Sequence, residues 1–419
     1  MAVVAILLAT VAPAQFEQYI APGSLGIKEL PTKERLDTAM EEARFRLGPL
    51  RLAPWFALQD VSWVNNVYGT AVNPKSDFTA TVSLGLHGYI PAGPKFVFAL
   101  YALPEYVWWN DLSYLRGWNG KYGLGIFGYF NRVTMEVQAG DWRTQQFYST
   151  ENPIPVNVQQ QRGGVTLEVE ILGRLSVFGN AWEDRWRYES PSGGTLPTDI
   201  LQLSDRDETA VGGGLRYRFS EAFTLAFGYE QLTTDFLSET QNRSSSGDGR
   251  FVEFELKGKR LWATARATDL ALRPQENSEF VPLDSTTGRA QIGWKPGGKL
   301  EWQAYGGRTV SYTLLTVDPY YIDQRWGLSL QSPLGWRTTG RVFWEQGRDD
   351  YASVPGQGLG RTDDFNGYGL SLNVKLGEGS EIGLEGAWTD YSSIVPEFNR
   401  KITRVQVTLS LTGAGAQWW

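Results

Sequence analysis

The chain has 419 residues, a formal charge of −7, no cysteine and one histidine, a composition that excludes disulfides, thiolate metal sites, thiol catalysis and any two-histidine metal centre and argues against nucleic acid as a partner. No run of about eighteen apolar residues exists, so no transmembrane helix is expected. Yet 17 Trp, 19 Tyr, 20 Phe and 47 Gly at a mean hydropathy of −0.31 is what apolar and polar residues alternating along many strands would produce.

Residues 2–12, AVVAILLATVA, form an apolar run of signal-peptide length, and Ala12-Pro13-Ala14 is a small-residue cleavage site. The reading is a signal peptide over residues 1–14 with no basic leader, and an exported chain without cysteine suits a bacterial envelope. Residues 15–48 are set apart as a periplasmic or plug segment. Pro22-Gly23 and Pro31 interrupt its first half, and a helix is expected near 32–46, closed by Gly48-Pro49. Leu36, Met40 and Ala43 share one face of that helix, a stripe too thin for a core helix. Its polar face is not dominated by Lys and Arg, so the expectation is a solvated helix at a barrel mouth or a partial plug rather than a membrane-surface helix.

From residue 49 onward the apolar period is two. Val165, Leu167, Val169 and Ile171 alternate with Thr166, Glu168 and Glu170; Tyr368, Leu370, Leu372 and Val374 alternate with Ser371, Asn373 and Lys375. Eighteen such segments can be marked between residues 50 and 411. Their connections alternate as well. Short turns such as Pro91-Ala92-Gly93-Pro94 and Pro296-Gly297-Gly298 take turns with longer polar loops at 148–160, 189–207, 237–249, 271–285, 347–363 and 392–400. Short turns at one end and long loops at the other are the asymmetry of a bacterial outer-membrane barrel, with both ends of an even-stranded barrel on the short-turn, periplasmic side.

A soluble propeller would repeat a blade motif, and a sandwich of this size would need linkers between domains; neither is seen. Aromatic residues instead gather at strand ends: Trp55, Trp63, Tyr106, Trp108, Trp109, Trp118, Tyr122, Trp294, Trp302, Trp326, Trp336, Trp344 and Trp388, as in the two girdles of a membrane barrel. The predicted fold is therefore all-β, a transmembrane antiparallel up-and-down barrel of about eighteen strands over residues 49–419 with a short N-terminal helix. The last strand is expected to end near Leu411, with a Gly/Ala tail and Trp418-Trp419 beyond it.

Alternation assigns the inner face. The fifth and sixth segments put Glu136, Glu168 and Glu170 inward, and the eleventh to fifteenth put Arg260, Arg266, Arg289, Arg325, Arg337 and Arg341 inward. In a ring of eighteen these groups oppose one another, so an acidic wall facing a basic wall, with a transverse field across a polar pore, is expected. Pairing with wall neighbours is the alternative, and Arg216 and Arg218 near Glu253 and Glu255 fit it. Tyr101, Trp262 and Tyr305 are expected to face inward, where their rings would stack on saccharides. At eighteen strands the wall side chains cannot fill the interior, so water, loops or the N-terminal segment must.

Enzymatic chemistry finds little support. His87 is the sole histidine and faces inward with Thr79, Thr81 and Ser83, but no G-x-S-x-G elbow or comparable motif accompanies it. The runs Asp205-Arg206-Asp207-Glu208, Arg348-Asp349-Asp350 and Asp363-Asp364 read as solvated loop charge, since no EF-hand spacing is present to hold calcium. No cofactor and no metal are expected.

One stretch resembles a known family. Gly48-Pro49-Leu50-Arg51-Leu52-Ala53-Pro54-Trp55, then Asn65-Asn66-Val67-Tyr68-Gly69-Thr70, then Lys75-Ser76-Asp77-Phe78 is similar to the opening hairpin of outer-membrane β-barrel porins associated with exopolysaccharide or capsule loci. The match covers about 35 residues of 419 and carries no catalytic residue across. It implies an outer-membrane channel or scaffold connected with polysaccharide export.

Two functions from different classes follow. The first is a non-enzymatic, porin-like channel in the bacterial outer membrane, passing hydrophilic solutes or saccharides, with outer-membrane lipids, lipopolysaccharide and further copies of itself as partners. The second is a structural barrel whose lumen is plugged and which scaffolds an envelope or polysaccharide-secretion assembly.

Overall fold

In the computed structural model, residues 21–26, 32–149, 151–152, 154–191, 197–238, 240–314, 317–356, 360–377 and 380–411 are described. The segment 1–14 read as a signal peptide and the tail 412–419 with Trp418-Trp419 lie outside them.

Alternating sequence gives alternating burial. The first strands are β1 (Phe45–Leu47), β2 (Leu50–Val64), β3 (Asp77–Ala92), β4 (Phe96–Trp109), β5 (Gly117–Tyr129), β6 (Val133–Phe147) and β7 (Pro155–Leu172). Then come β8 (Leu175–Glu189), β9 (Arg206–Arg218), β10 (Phe223–Phe236), β11 (Ser245–Leu256), β12 (Leu261–Pro274) and β13 (Leu283–Trp294). The series ends with β14 (Glu301–Tyr312), β15 (Tyr320–Pro333), β16 (Thr338–Ala352), β17 (Thr362–Gly377), β18 (Ser380–Ser393) and β19 (Arg400–Leu411). Each of β2–β19 pairs antiparallel with its chain neighbours, and β19 returns to β2 through registers running from Arg404 opposite Val64 to Leu411 opposite Phe56. The result is a closed barrel of eighteen strands, all of them foreseen, with β1 as one extra short strand. Closure leaves no unpaired edge, which is the condition for crossing hydrocarbon.

The outward positions form an apolar belt. On β7 these are Val165, Leu167, Val169 and Ile171, and on β3 Phe78, Val82, Leu84, Leu86 and Ile90, all exposed. A continuous belt of this kind exceeds the apolar patch a soluble monomer shows and is matched by lipid instead. Above the belt, at the long-loop end, the strands continue with polar outward residues. β11 passes from Phe254 and Val252 to Arg250, Asp248 and Ser246, and β16 from Val342 and Trp344 to Gln346, Arg348 and Asp350. Alternation fades there because both faces are wet. That is why strand is found at 245–249 and 348–350, where loops were expected.

Most expected girdle aromatics point outward, but Trp55 and Trp109 do not. Both are buried on the inner face, where Trp55 Nε1 donates to Ser410 Oγ at 3.3 Å and Trp109 Nε1 to Gln145 Oε1 at 3.0 Å. An indole at a strand end marks a membrane interface only when its position is on the outer face.

The N-terminal helix, α1 (Thr32–Glu42), is shorter than the expected 32–46. Phe45–Leu47 instead pairs with Leu50–Leu52 as a hairpin, turning at Gly48, whose φ of 61° a β-carbon would strain. One register irregularity matters for the interior. Between Gln59 and Ser62, β2 carries an extra residue against both β3 and β19, and Asp60 sits there at φ 49°. The bulge swings Gln59 and Asp60 toward the lumen together, and inward alternation resumes with Ser62 and Val64.

Candidate functional site: the barrel lumen

Two described parts of the N-terminal segment lie inside the lower lumen on opposite walls. α1 lies against the inner wall of β2–β6, burying Leu36 and Ala39, with Ala43 just beyond its end, in a cluster with Trp55, Tyr89, Tyr101 and Phe127. Of the stripe that looked too thin for a core helix, Leu36 and Ala43 are buried and Met40 is half-buried, with Ala39 joining them. The wall supplies the missing apolar surface, so three small contacts suffice. Residues 21–26 hold the far wall. Gly23 N–H donates to Glu345 Oε2 at 3.0 Å, Arg341 Nη2 donates to the Gly23 carbonyl at 3.0 Å, and Gln291 Nε2 donates to the Leu25 carbonyl at 2.5 Å. Leu25 packs on Tyr305.

The upper lumen is narrowed by loops. Glu151, between β6 and β7, meets Arg361, which precedes β17, at 2.8 Å; the two positions are eight strands apart by the shorter way round a ring of eighteen. Arg361 also pairs with Asp363 at 3.1 Å and lies between the rings of Tyr351 and Phe398, each at 3.9 Å. Burial pushes the Glu151 carboxyl above the usual range, against the pull of Arg361. A second buried arginine, Arg243, ties three loops by donating to the carbonyls of Thr313 at 2.6 Å, Pro319 at 3.4 Å and Leu203 at 3.1 Å.

Beneath these loops the β9–β15 side is filled. Leu232, Leu270, Leu283, Val310 and Tyr312 form one apolar cluster, and Arg206 sits between the rings of Trp186 and Tyr312 while pairing with Glu208 at 2.7 Å. The β2–β7 side stays open. It holds a cavity of about 320 Å³ whose wall includes Gln59, Asp60, Glu105, Lys121, Gln146 and Arg404. The α1 cluster lies below it, since Ala57 and Leu103 of that cluster directly precede Gln59 and Glu105 on the inner faces of β2 and β4.

The sequence-predicted lumen residues fall into three groups. Glu136, Glu168, Glu170, Arg266, Arg289, Arg325 and Arg341 lie on the inner face. Arg260 and Arg337 do not: both are exposed in short turns, Arg260 before β12 and Arg337 before β16, where it stacks on Trp336. Alternation ran past the true strand ends at those two positions. Tyr101, Trp262 and Tyr305 face inward as expected, but all three are buried, so no ring face is offered to a sugar. Tyr101 lies in the α1 cluster and takes an N–H from Trp142 at 2.6 Å; Tyr305 is covered by Leu25; Trp262 donates to Glu301 at 2.7 Å.

The opposed acidic and basic walls are not found. Glu168 pairs with Arg216, Arg216 approaches Glu253 at 3.7 Å, and Arg266 bonds both Glu253 at 3.0 Å and Glu230 at 2.7 Å. Arg325 pairs with Asp323 at 2.8 Å and Glu345 at 3.5 Å. Glu136 accepts from Tyr129 at 3.4 Å and faces Thr32 and Arg35 of α1. Ions sharing a low-dielectric wall neutralise one another locally, because separation would leave each desolvated and unpaired.

The acidic runs read as solvated loop charge are split by strand alternation. Asp207 and Asp364 face outward and pair with Arg187 at 2.7 Å and Arg348 at 2.9 Å, whereas Glu208, Asp349 and Asp363 are buried inside. His87 is buried beside Tyr101, ring centroids 6.4 Å apart. The residues that sequence reasoning missed are Glu151, Arg361, Arg243 and the Arg162–Asp184 pair at 2.6 Å. Alternation across 160–164 could have placed Arg162 inward; nothing local marks the other three.

No known family model and no curated protein matches this sequence. Solved structures do share its shape. Pseudomonas aeruginosa OccK2 (OpdF) in complex with glucuronate superposes with a TM-score of 0.52 at 11% identity, over 86% of this chain and 98% of that one. P. aeruginosa OpdK with vanillate gives 0.51 at 13% identity, over 86% and 98%. Acinetobacter baumannii OccAB3 gives 0.50 at 11% identity, over 86% and 99%. The fold is that of Gram-negative outer-membrane porins. With its closed strands and apolar belt, the chain is an outer-membrane β-barrel.

Proposed function

We propose that this protein is a non-enzymatic outer-membrane channel for passive passage of hydrophilic solutes, constricted by its own N-terminal segment. The observation that carries the reading is the polar cavity of about 320 Å³ inside a closed barrel, above a constriction made by a short helix rather than a folded plug domain. Saccharides are the proposed solute class. Tyr101 and Tyr305 stand on opposite walls under the same segment, and its withdrawal would bare both rings. An exported polysaccharide strand, as the opening-hairpin resemblance implies, would require that withdrawal. Lipid and lipopolysaccharide are the partners proposed for the belt, and cross-linking in native membranes would separate a monomer from a homo-oligomer.

A second reading, a scaffolding barrel with a closed lumen, is favoured by the bonds that Glu345, Arg341 and Gln291 make to residues 23–25. Single-channel recording in a planar bilayer separates the two. Steady conductance from the full chain supports the channel. Silence from both the full chain and a variant lacking residues 1–42, each shown folded by heat-modifiable gel mobility, sinks the channel and leaves the scaffold.

A further inference from the structure

The cavity has a chemical character that the channel reading does not by itself require. Amides and hydroxyls dominate its polar lining: Gln59, Gln145, Gln146 and Asn119 stand with Thr81 and Thr144. Gln145 is held by Trp109 and the Leu115 carbonyl and Gln59 donates to Ser83, so Gln146, Thr81, Thr144 and the remaining Gln59 atoms are the groups that can donate and accept at once. The charged lining residues are two acids and two bases. Asp60 accepts from Arg404 Nη2 at 3.0 Å, and Glu105 is hydrogen-bonded by Ser83 in the field of Lys121. No net charge is left over, so an ion entering would shed water without gaining a counter-charge.

Two further features point the same way. Phe147 gives the cavity a half-buried ring, and Trp109, buried and fixed by its bond to Gln145, borders it. Val64, Val107 and Pro155 add further apolar surface to the wall. An uncharged molecule dense in hydroxyls, with a C–H face for the rings, meets each of these groups. The volume lies at the lower end of the range of about 300–1,000 Å³ that ligand sites occupy.

Resting on the channel reading, we propose that this cavity is a binding site for an uncharged polyhydroxylated solute of monosaccharide to disaccharide size, held above the N-terminal constriction. The site discriminates against charged sugars of the same size.

The test is isothermal titration calorimetry on the full chain, refolded in detergent, with maltose, glucuronate and glucosamine as neutral, anionic and cationic ligands. Maltose is expected to bind at least about tenfold more tightly than either charged sugar, and Gln59→Leu and Gln146→Leu each to weaken it about tenfold. Gln146 makes no side-chain hydrogen bond among the described residues, so its variant separates contact from folding. Equal or tighter binding of a charged sugar overturns the proposal, as does maltose binding unchanged in both variants. Bilayer conductance without sugar keeps the two readings apart: conductance with no maltose binding removes the site and leaves the channel, whereas maltose binding by a protein that never conducts removes the channel and leaves a binding barrel.

Discussion

Glu151 and Arg361 stand 210 positions apart in the chain and meet at 2.8 Å, both fully buried, across the mouth of the barrel. The pair holds the loop between β6 and β7 over the lumen. Removing Arg361 would leave Glu151 and Asp363 buried beside each other without their cation. Arg361→Met is therefore expected to cost about 3–5 kcal/mol, and the double variant with Glu151→Gln to recover part of it, because the orphaned charge is then gone. The thermal midpoint of the heat-modifiable gel shift checks both; equal midpoints for single and double variants would contradict the pairing.

The same pair sets a pH dependence. Burial raises the Glu151 carboxyl, with Arg361 and Arg400 opposing and Asp363 adding to the rise. A carboxyl whose folded pKa lies above its unfolded value favours the folded state when protonated. Closure is thus strongest below the ordinary glutamate range and weakens as pH rises from there through the raised value. Protease cleavage of the loop is expected to be slower at about pH 5 than at about pH 8, and Glu151→Gln to abolish the difference. A loop cleaved equally fast at both would refute this.

Leu36 is buried without remainder in the contact between α1 and the wall. Leu36→Asp would bring a carboxylate into an apolar cluster, at a cost of several kcal/mol, so the helix should leave the wall rather than carry it. The barrel does not depend on that contact for strand pairing. The expected outcome is an unchanged gel shift with conductance rising severalfold. An unaltered conductance would show that α1 does not limit the pore.

Arg266 neutralises Glu230 and Glu253 on the lumen wall. Arg266→Met removes one positive charge from beside two acids on the inner wall, so cation preference should increase. The reversal potential in a salt gradient should move toward the cation value, and the shift should shrink as ionic strength rises. No shift at low salt would mean that this part of the wall is shielded from the ion path.

The belt can be mapped by two substitutions on outward positions. Leu167→Arg places a charge against the hydrocarbon and is expected to cost about 2–4 kcal/mol, whereas Asp248→Arg, above the belt on β11, should cost about 0–1 kcal/mol. Equal costs, measured as folding yield into lipid vesicles across a urea series, would misplace the membrane boundary.

The amino-acid sequence by itself determined the number of barrel strands, their order, most of the lipid-facing positions but not Trp55 and Trp109, and which end carries the long loops. These follow from a period of two and from turn chemistry, both local properties. It also placed seven of nine predicted lumen charges on the inner face, failing at Arg260 and Arg337 because strand ends in short turns carry no periodic signal. What fills the lumen was decided only in three dimensions. Alternation says that Glu168 points inward but not that Arg216 will meet it, and nothing near Glu151 in sequence foretells Arg361. The bulge at Asp60 inverts parity without a local mark. The interior of a wide barrel is shared by residues far apart in the chain, and their pairing is set by which buried charges must find a partner once the ring has closed.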